Sequence, residues 1–186
     1  MDSLSGHFLI ATPHMPDPRF RGQVIYLCAH NETGIMGLVV NKPSPEITLH
    51  DILLGANLPI TEGPAAPVYL GGPVEPEAGF LLFTAEVLSR FAMQIQPGVF
   101  VSRDSRILDD IAKGEGPGEF LFLLGYAGWG PGQLERELQD NSWLVVQGDV
   151  DLIFRTPASQ RWKTKKSRWN KIRANSNKTI LRYRII

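Results

Sequence analysis

An α+β fold in one domain is what this sequence predicts, and three observations carry that expectation. Strand-like runs and short helical segments alternate irregularly, several of the strand pairs are close enough to form hairpins, and no internal repeat is present. The chain of 186 residues suffices for one substantial core, and 43% apolar with 20% charged residues is the composition of an ordered globular protein. A doubly wound parallel sheet would instead need strands and helices in strict alternation.

Taken in order, "GHFLIAT" (Gly6–Thr12) predicts a first short strand, and "PHMPDPRF", with three prolines, a loop. "QVIYLCAH" and "GIMGLVVN", rich in β-branched residues and separated by "NETG", predict a hairpin. With a four-residue loop, His30 pairs with Ile35 and Cys28 with Gly37. Alternation then puts Tyr26, Cys28 and His30 on one face and Ile25, Leu27 and Ala29 on the other. "TLHDILLGANL" predicts a short helix capped by Thr48, with Asp51 completing a capping box.

Further along, "VYL", the turn Gly71-Gly72-Pro73 and "GFLLFTA" predict strand, turn and strand, and "GVFVS" another strand. "RDSRILDDIAKG" places Ile107, Leu108 and Ile111 on one helical face, with Gly114 as its stop. "EFLFLLGY" is apolar enough for a buried strand. The glycine-rich stretch after it leads to a helix bearing Leu134 and Leu138, with Glu135, Arg136 and Glu137 expected to face away. "WLVVQG" predicts a last strand, and "DLIFRTP" fits either a strand or a turn of helix.

The densest signal is "LLGYAGWGPGQLERELQDNSW" (Leu123–Trp143), in which Gly125, Gly128, Gly130 and Gly132 stand between an apolar run and the helix. Strand, glycine loop and helix is the setting of a phosphate cradle. The details disagree: Gly132-Gln133-Leu134 lacks the lysine and hydroxyl of a P-loop, the spacing is not that of a dinucleotide fingerprint, and Glu135 and Glu137 would repel an anion. The glycines are expected to shape a surface beneath Trp129, with Pro131 opening the helix.

This stretch resembles the signature of the bacterial YqgE/AlgH family, and so do "GHFLIATPHMPDPRF", "VIYLCAHNETGIMGLVVNKP", "VYLGGPV" and "DLIFRTPASQRW". The matching segments run in family order from Gly6 to about Trp162. The resemblance implies a compact domain with a mixed, bifurcated β-sheet, part of it barrel-like, surrounded by helices. It implies no reaction. The family carries the label of a transcriptional regulator, linked by name to alginate control.

Candidate chemistry is sparse. Cys28 is the only cysteine, which excludes an intramolecular disulfide and suits a reducing compartment. It is either a small core residue or, with His30 as base, a thiol nucleophile for an enzyme or redox-sensitive protein. His7, His14, His30 and His50 are scattered without metal-ligand spacing, so no metal and no cofactor are expected. Asn41 and Lys42, the turn Gly71, Gly72 and Pro73, and Tyr126, Trp129 and Gly130 form a candidate binding groove for a protein or small-molecule ligand. A binding or regulatory role without catalysis is the leading expectation.

Charge divides the chain. Residues 161–186 hold ten Lys and Arg and no acid, leaving nine basic against nineteen acidic residues in 1–160. The body would repel nucleic acid and the tail attract it weakly. The domain is therefore expected over 1–162. Residues 163–186 are expected to be a basic tail outside the fold, either a genuine extension or the product of a reading-frame change. No apolar run is long enough for a membrane span and the first residues lack the basic start of a secretory signal, so the cytoplasm is the expected location.

Overall fold

The computed structural model of the chain describes residues 3–58, 66–84, 92–164 and 167. Ten strands form one mixed sheet: β1 (His7–Ala11), β2 (Val24–Asn31), β3 (Gly34–Val39), β4 (Pro43–Thr48), β5 (Pro67–Leu70), β6 (Val74–Phe83), β7 (Met93–Gln96), β8 (Val99–Ser102), β9 (Phe120–Trp129) and β10 (Trp143–Gln147). Among the described residues the short helices are α1 (Leu49–Gly55), α2 (Arg106–Ala112), α3 (Gln133–Gln139) and α4 (Val150–Phe154). A further helical stretch covers residues 158–164.

The strand order is β10-β1-β2-β3-β9-β6-β8-β7, with β5 on β9 and β4 on β5. The sheet forks on β9. One edge of β9 pairs with β6, while the other takes β5 in parallel at Phe122–Leu124 and then β3 antiparallel at Ala127–Trp129. Alternation sorts the side chains of these strands into three cores. Phe8, Tyr26, Leu38, Tyr69, Phe80, Leu82, Val101 and Leu123 point to a common interior that α4 helps to fill. On the outer face, Leu9, Ile25, Leu27, Trp129 and Trp143 pack with Leu134 of α3, and Val68, Leu81, Phe83 and Phe122 pack with α1 and α2.

A sheet in which β1, β2, β3, β5, β6, β8 and β9 all feed one interior has to curl, and this one does. No ladder joins the two ends of the path among the described residues. Yet Gln96 of β7 lies against one end of the β1–β10 pair, beyond His7 and Gln147: a Cβ built on Gly148 would stand 2.7 Å from Gln96 Oε1, and one on Gly6 3.1 Å. The sheet is thus not closed by strand pairing, and a β7 side chain stands at the gap.

The glycines explain the fork. A Cβ on Gly71 would fall 2.3 Å from the Gly125 carbonyl oxygen, one on Gly72 2.1 Å from the Tyr126 carbonyl carbon, and one on Gly125 2.4 Å from the Gly72 oxygen. Gly125 also has φ +70°, a left-handed conformation inside a strand. The Gly71 N–H donates to Leu124 O at 2.7 Å while its carbonyl accepts from Val39 N at 2.8 Å, so one residue bridges both branches. Opposite Gly125, β6 bulges between Val74 and Gly79, and Glu75 there takes φ 44°.

Several sequence expectations change here. The glycine loop expected over Gly125–Gly132 is strand as far as Trp129: β9 continues to that residue, because non-local backbone supplies pairing partners that a local reading cannot see. β4 and β7, short and exposed, were not legible as strands. "DLIFRTP" resolves as α4. The capping box on α1 is present, with Thr48 Oγ1 accepting from Asp51 N at 3.3 Å and Asp51 Oδ2 accepting from Thr48 N at 2.8 Å.

The chain is locked at its far end by two neighbouring side chains. Trp162 Nε1 donates to Ala11 O at 3.0 Å, and the buried Arg161 donates to Val40 O and, at 2.9 Å, to Thr156 O. Its guanidinium lies 5.3 Å from the Tyr69 ring centre, and burial lowers its pKa from the ordinary value. Lys163 and Thr164 are exposed, and most of the basic segment beyond them lies outside the described residues.

Candidate functional site

The β2–β3 hairpin decides the surroundings of Cys28. His30 pairs with Ile35 as the sequence predicts, but a bulge intervenes, so Leu27 stands opposite Gly37 and Ala29 opposite Met36. Cys28 is the extra residue. Space above Gly37 is filled: a Cβ there would lie 2.6 Å from Ile25 Cγ2 and 3.1 Å from Leu27 Cδ2.

The bulge moves Cys28 and His30 to opposite faces. Cys28 belongs to the interior core with Tyr26 and Leu38, whereas His30 sits opposite Ile35 of the outer core. Cys28 is 2% exposed, and its Sγ donates only to Tyr26 O at 3.5 Å. Burial pushes the thiol pKa well up from its usual range. The same burial raises the pKa of Tyr26, whose hydroxyl has no partner among the described residues. Among the described residues Cys28 has no base beside it, and it is shut off from solvent.

Trp129 is 5% exposed and is a core residue held by polar contacts. Its Nε1 donates to Glu137 Oε2 at 2.9 Å, and Trp143 Nε1 donates to the same oxygen at 2.6 Å. The two rings meet edge to face with centres 6.0 Å apart. Gln133 Nε2 donates to Glu137 Oε1 at 2.9 Å, and the Gly130 N–H donates to Gln133 Oε1 at 3.2 Å. Glu137 therefore faces inward as the acceptor for two indoles, contrary to its expected outward position.

Asn41 is likewise committed to the fold. Its Oδ1 accepts from Val24 N at 2.8 Å and its Nδ2 donates to Gly22 O at 2.9 Å. Gly71 and Gly72 are packed against β9 backbone, and Pro73 follows them at the fork. Tyr126 stacks edge-on with Phe80, and its hydroxyl donates to Glu75 Oε1 at 3.5 Å. Glu75 also pairs with Arg103 at 3.3 Å, an exposed pair of small energetic weight. Lys42 is exposed and its carbonyl receives Leu70 N–H at 2.8 Å.

What the hairpin and the glycine loop do form together is a cleft of about 350 Å³. One wall is the tip of the hairpin, with His30, Asn31, Glu32, Gly34 and Ile35, joined by Ser3. The other is Gly130, Pro131 and Gly132 with Glu135 of α3. Of the residues expected to form a groove, Gly130 is the one on this cleft. Gly71, Gly72 and Pro73 serve the fork instead, Asn41 holds the turn before β2, and Trp129 belongs to the outer core.

The Leu4 N–H donates to His30 Nδ1 at 3.0 Å, which ties the ring to the N-terminal segment. Glu135 Oε2 is shielded from solvent and has no hydrogen-bond partner among the described residues. Gly132 has φ 71° and opens α3, which is seven residues long and carries Glu135 in its first turn. Neither α3 nor the loop offers an anion cradle. Among the described residues there is no group of three or more His, Cys, Asp or Glu spaced to hold a metal, and no helix long and apolar enough to cross a membrane.

Fold and site together define a single-domain α+β protein on a forked sheet, with a surface cleft and a sealed thiol. The AlgH-like family model, DUF179, matches residues 8–171, and the chain belongs to that family. A UPF0301 protein of Desulfotalea psychrophila is 41% identical over 162 residues, covering 87% of this chain and 85% of the relative. One of Hahella chejuensis is 44% identical over 161 residues, covering 87% and 86%. The solution structure of the AlgH protein from Pseudomonas aeruginosa superposes with a TM-score of 0.76 at 39% identity, covering 90% of this chain and 89% of that one. The crystal structure of a Corynebacterium diphtheriae protein, DIP2367, reaches 0.71 at 20% identity over 90% and 88% of the two chains, a likeness of fold.

Proposed function

We propose that the protein is a binding or regulatory protein without a catalytic thiol or cofactor, working in the cytoplasm through the cleft between the β2–β3 hairpin and Gly130–Gly132. The observation that carries this reading is the cleft itself, whose Gly130 contributes no packing: a Cβ there would meet nothing within 4 Å. Concave, partly polar surfaces lined by loop backbone are where ligands and partner side chains ordinarily dock. The buried, unactivated Cys28 speaks against a thiol enzyme. The acidic balance of residues 1–160 speaks against direct nucleic-acid binding by the domain.

Site-specific photo-cross-linking in cells tests this. Benzoylphenylalanine replacing Glu32, on the cleft wall, should trap a discrete partner. The same group replacing Leu54, an exposed residue of α1 that does not line the cleft, should not. Equal trapping from both positions, or trapping from position 54 alone, would remove the cleft from the account.

A further inference from the structure

We propose that His30 is a proton-sensitive latch on the N-terminal wall of the cleft: protonation of its ring unhooks Leu4 and frees Ser3 from its place beside the hairpin. The latch stands on its own geometry. That it governs a ligand rests on the reading above that the cleft is a binding surface.

The chemistry of one hydrogen bond carries the argument. A backbone N–H can only donate, so the bond from Leu4 N to His30 Nδ1, 3.0 Å long and spanning 26 residues of sequence, needs a lone pair on that nitrogen. An imidazolium has a proton on both nitrogens and no lone pair to offer. Protonation therefore sets two donors against each other and the contact opens. The His30 side chain is half-buried at the cleft, so protons reach it from solvent, and histidine is the side chain that ordinarily changes charge between pH 5 and 8.

What the latch holds is short and hinged. Ser3 lines the cleft with His30, and Leu4 rests partly buried on the outer core. Beyond Leu4 the backbone is fixed without His30: the Gly6 N–H donates to Leu27 O at 2.8 Å and the His7 N–H to Leu4 O at 3.0 Å. His7 Nδ1 also lies 3.2 Å from Leu4 O and 3.4 Å from Ser5 O, where a protonated ring donates. Acid thus releases the N–H side of Leu4 while its carbonyl side stays held. The motion is confined to Ser3 and whatever precedes it. The other charged groups around the cleft are Glu32 and Glu135 in its lining, which attract an imidazolium, and Arg136, which repels it and whose Nη1 would stand 3.5 Å from a Cβ on Gly132. A ligand that uses the Ser3 wall would bind more weakly on the acid side.

Nuclear magnetic resonance of ¹⁵N,¹³C-labelled full-length protein between pH 5 and 8 tests the latch without any ligand. As the His30 ring carbons report protonation, the Leu4 amide should shift with the same midpoint. Its protection from water exchange, corrected for the intrinsic effect of pH, should fall roughly two- to tenfold. His30→Asn supplies a side-chain oxygen near the place of Nδ1 and does not titrate, so the Leu4 amide should remain protected and insensitive to pH. His30→Phe has no acceptor and should leave that amide unprotected at every pH. His7→Gln should keep the pH response, and amides of β1 and β9 report that each variant is folded. A Leu4 amide unmoved through the His30 titration, a midpoint that follows His7 instead, or an undiminished pH response in His30→Asn overturns the proposal. A latch that opens while position 32 traps no partner supports this inference and removes the binding reading. A latch that never opens while trapping persists overturns this inference alone.

Discussion

Gly125 and Gly130 belong to one glycine-rich run and do opposite jobs. Gly125 is locked among backbone atoms, with left-handed φ and the Gly72 oxygen where its Cβ would be. Gly130 faces open space on a cleft wall. The first makes the sheet fork; the second leaves a surface free. A glycine-rich motif is therefore not one signal but two, and only contacts with distant chain separate them.

The comparison is broken most forcefully at the fork. Gly125→Ala adds a methyl group against immobile backbone and forces an L-residue into left-handed φ, so it should cost about 4 kcal/mol or prevent folding. Gly130→Ala should stay within about 0.5 kcal/mol of the parent. Chemical denaturation of the two variants side by side gives the contrast, and similar losses in both would erase it. Trp129→Ala should come next at about 3–4 kcal/mol, because it empties a buried aromatic site and strips Glu137 of a donor. Glu137→Leu should cost about 1–3 kcal/mol by orphaning two indole N–H groups, seen as a fall in denaturation midpoint together with altered tryptophan emission.

Cys28 sharpens the contrast between sealed and open regions through pH. Its thiol pKa is raised in the folded state, so the folded protein retains a proton that the unfolded chain releases. Stability from this group is complete below the unfolded thiol value, near 8.5, and declines above it by up to about 1.4 kcal/mol per pH unit until the folded pKa is reached. Thermal midpoints measured from pH 7 to 10 should fall only in the upper part of that range, and Cys28→Ala should flatten the curve. Native-state alkylation should track unfolding; rapid labelling near neutral pH would contradict the buried position.

At the far end the locked residues and the segment beyond them should respond differently. Arg161→Met removes donors from Val40 O and Thr156 O and should cost about 1–3 kcal/mol. Truncation after Thr164 should change stability by about 0.5 kcal/mol at most, since Arg161 and Trp162 are retained. A large loss on truncation would mean that the basic segment packs.

What was legible in the sequence follows from range. Thr48 and Asp51 announced α1 because a capping box closes within four residues. Alternation in "VIYLC" and the apolar run in "EFLFLL" announced β2 and β9 because each strand carries its own period. The bulge at Cys28 was silent, and a single extra residue reversed the face of His30. Glu137 read as solvent-facing because its indole partners come from β9 and the start of β10. The cleft was half-visible: Gly130 stood out, but Glu135 and His30 meet across it only through the pairing of β3 with β9.

The most direct test of the account fills the cleft and leaves the fork alone. Gly130→Trp places an indole where no atom lies within 4 Å of the new Cβ, so the fold should accept it. Native mass spectrometry of the protein isolated gently from its own cells, wild type beside Gly130→Trp, reads what remains bound at an unchanged thermal midpoint. The account predicts a bound species on the wild type that the filled variant has lost. The same species retained by a folded Gly130→Trp variant would contradict it.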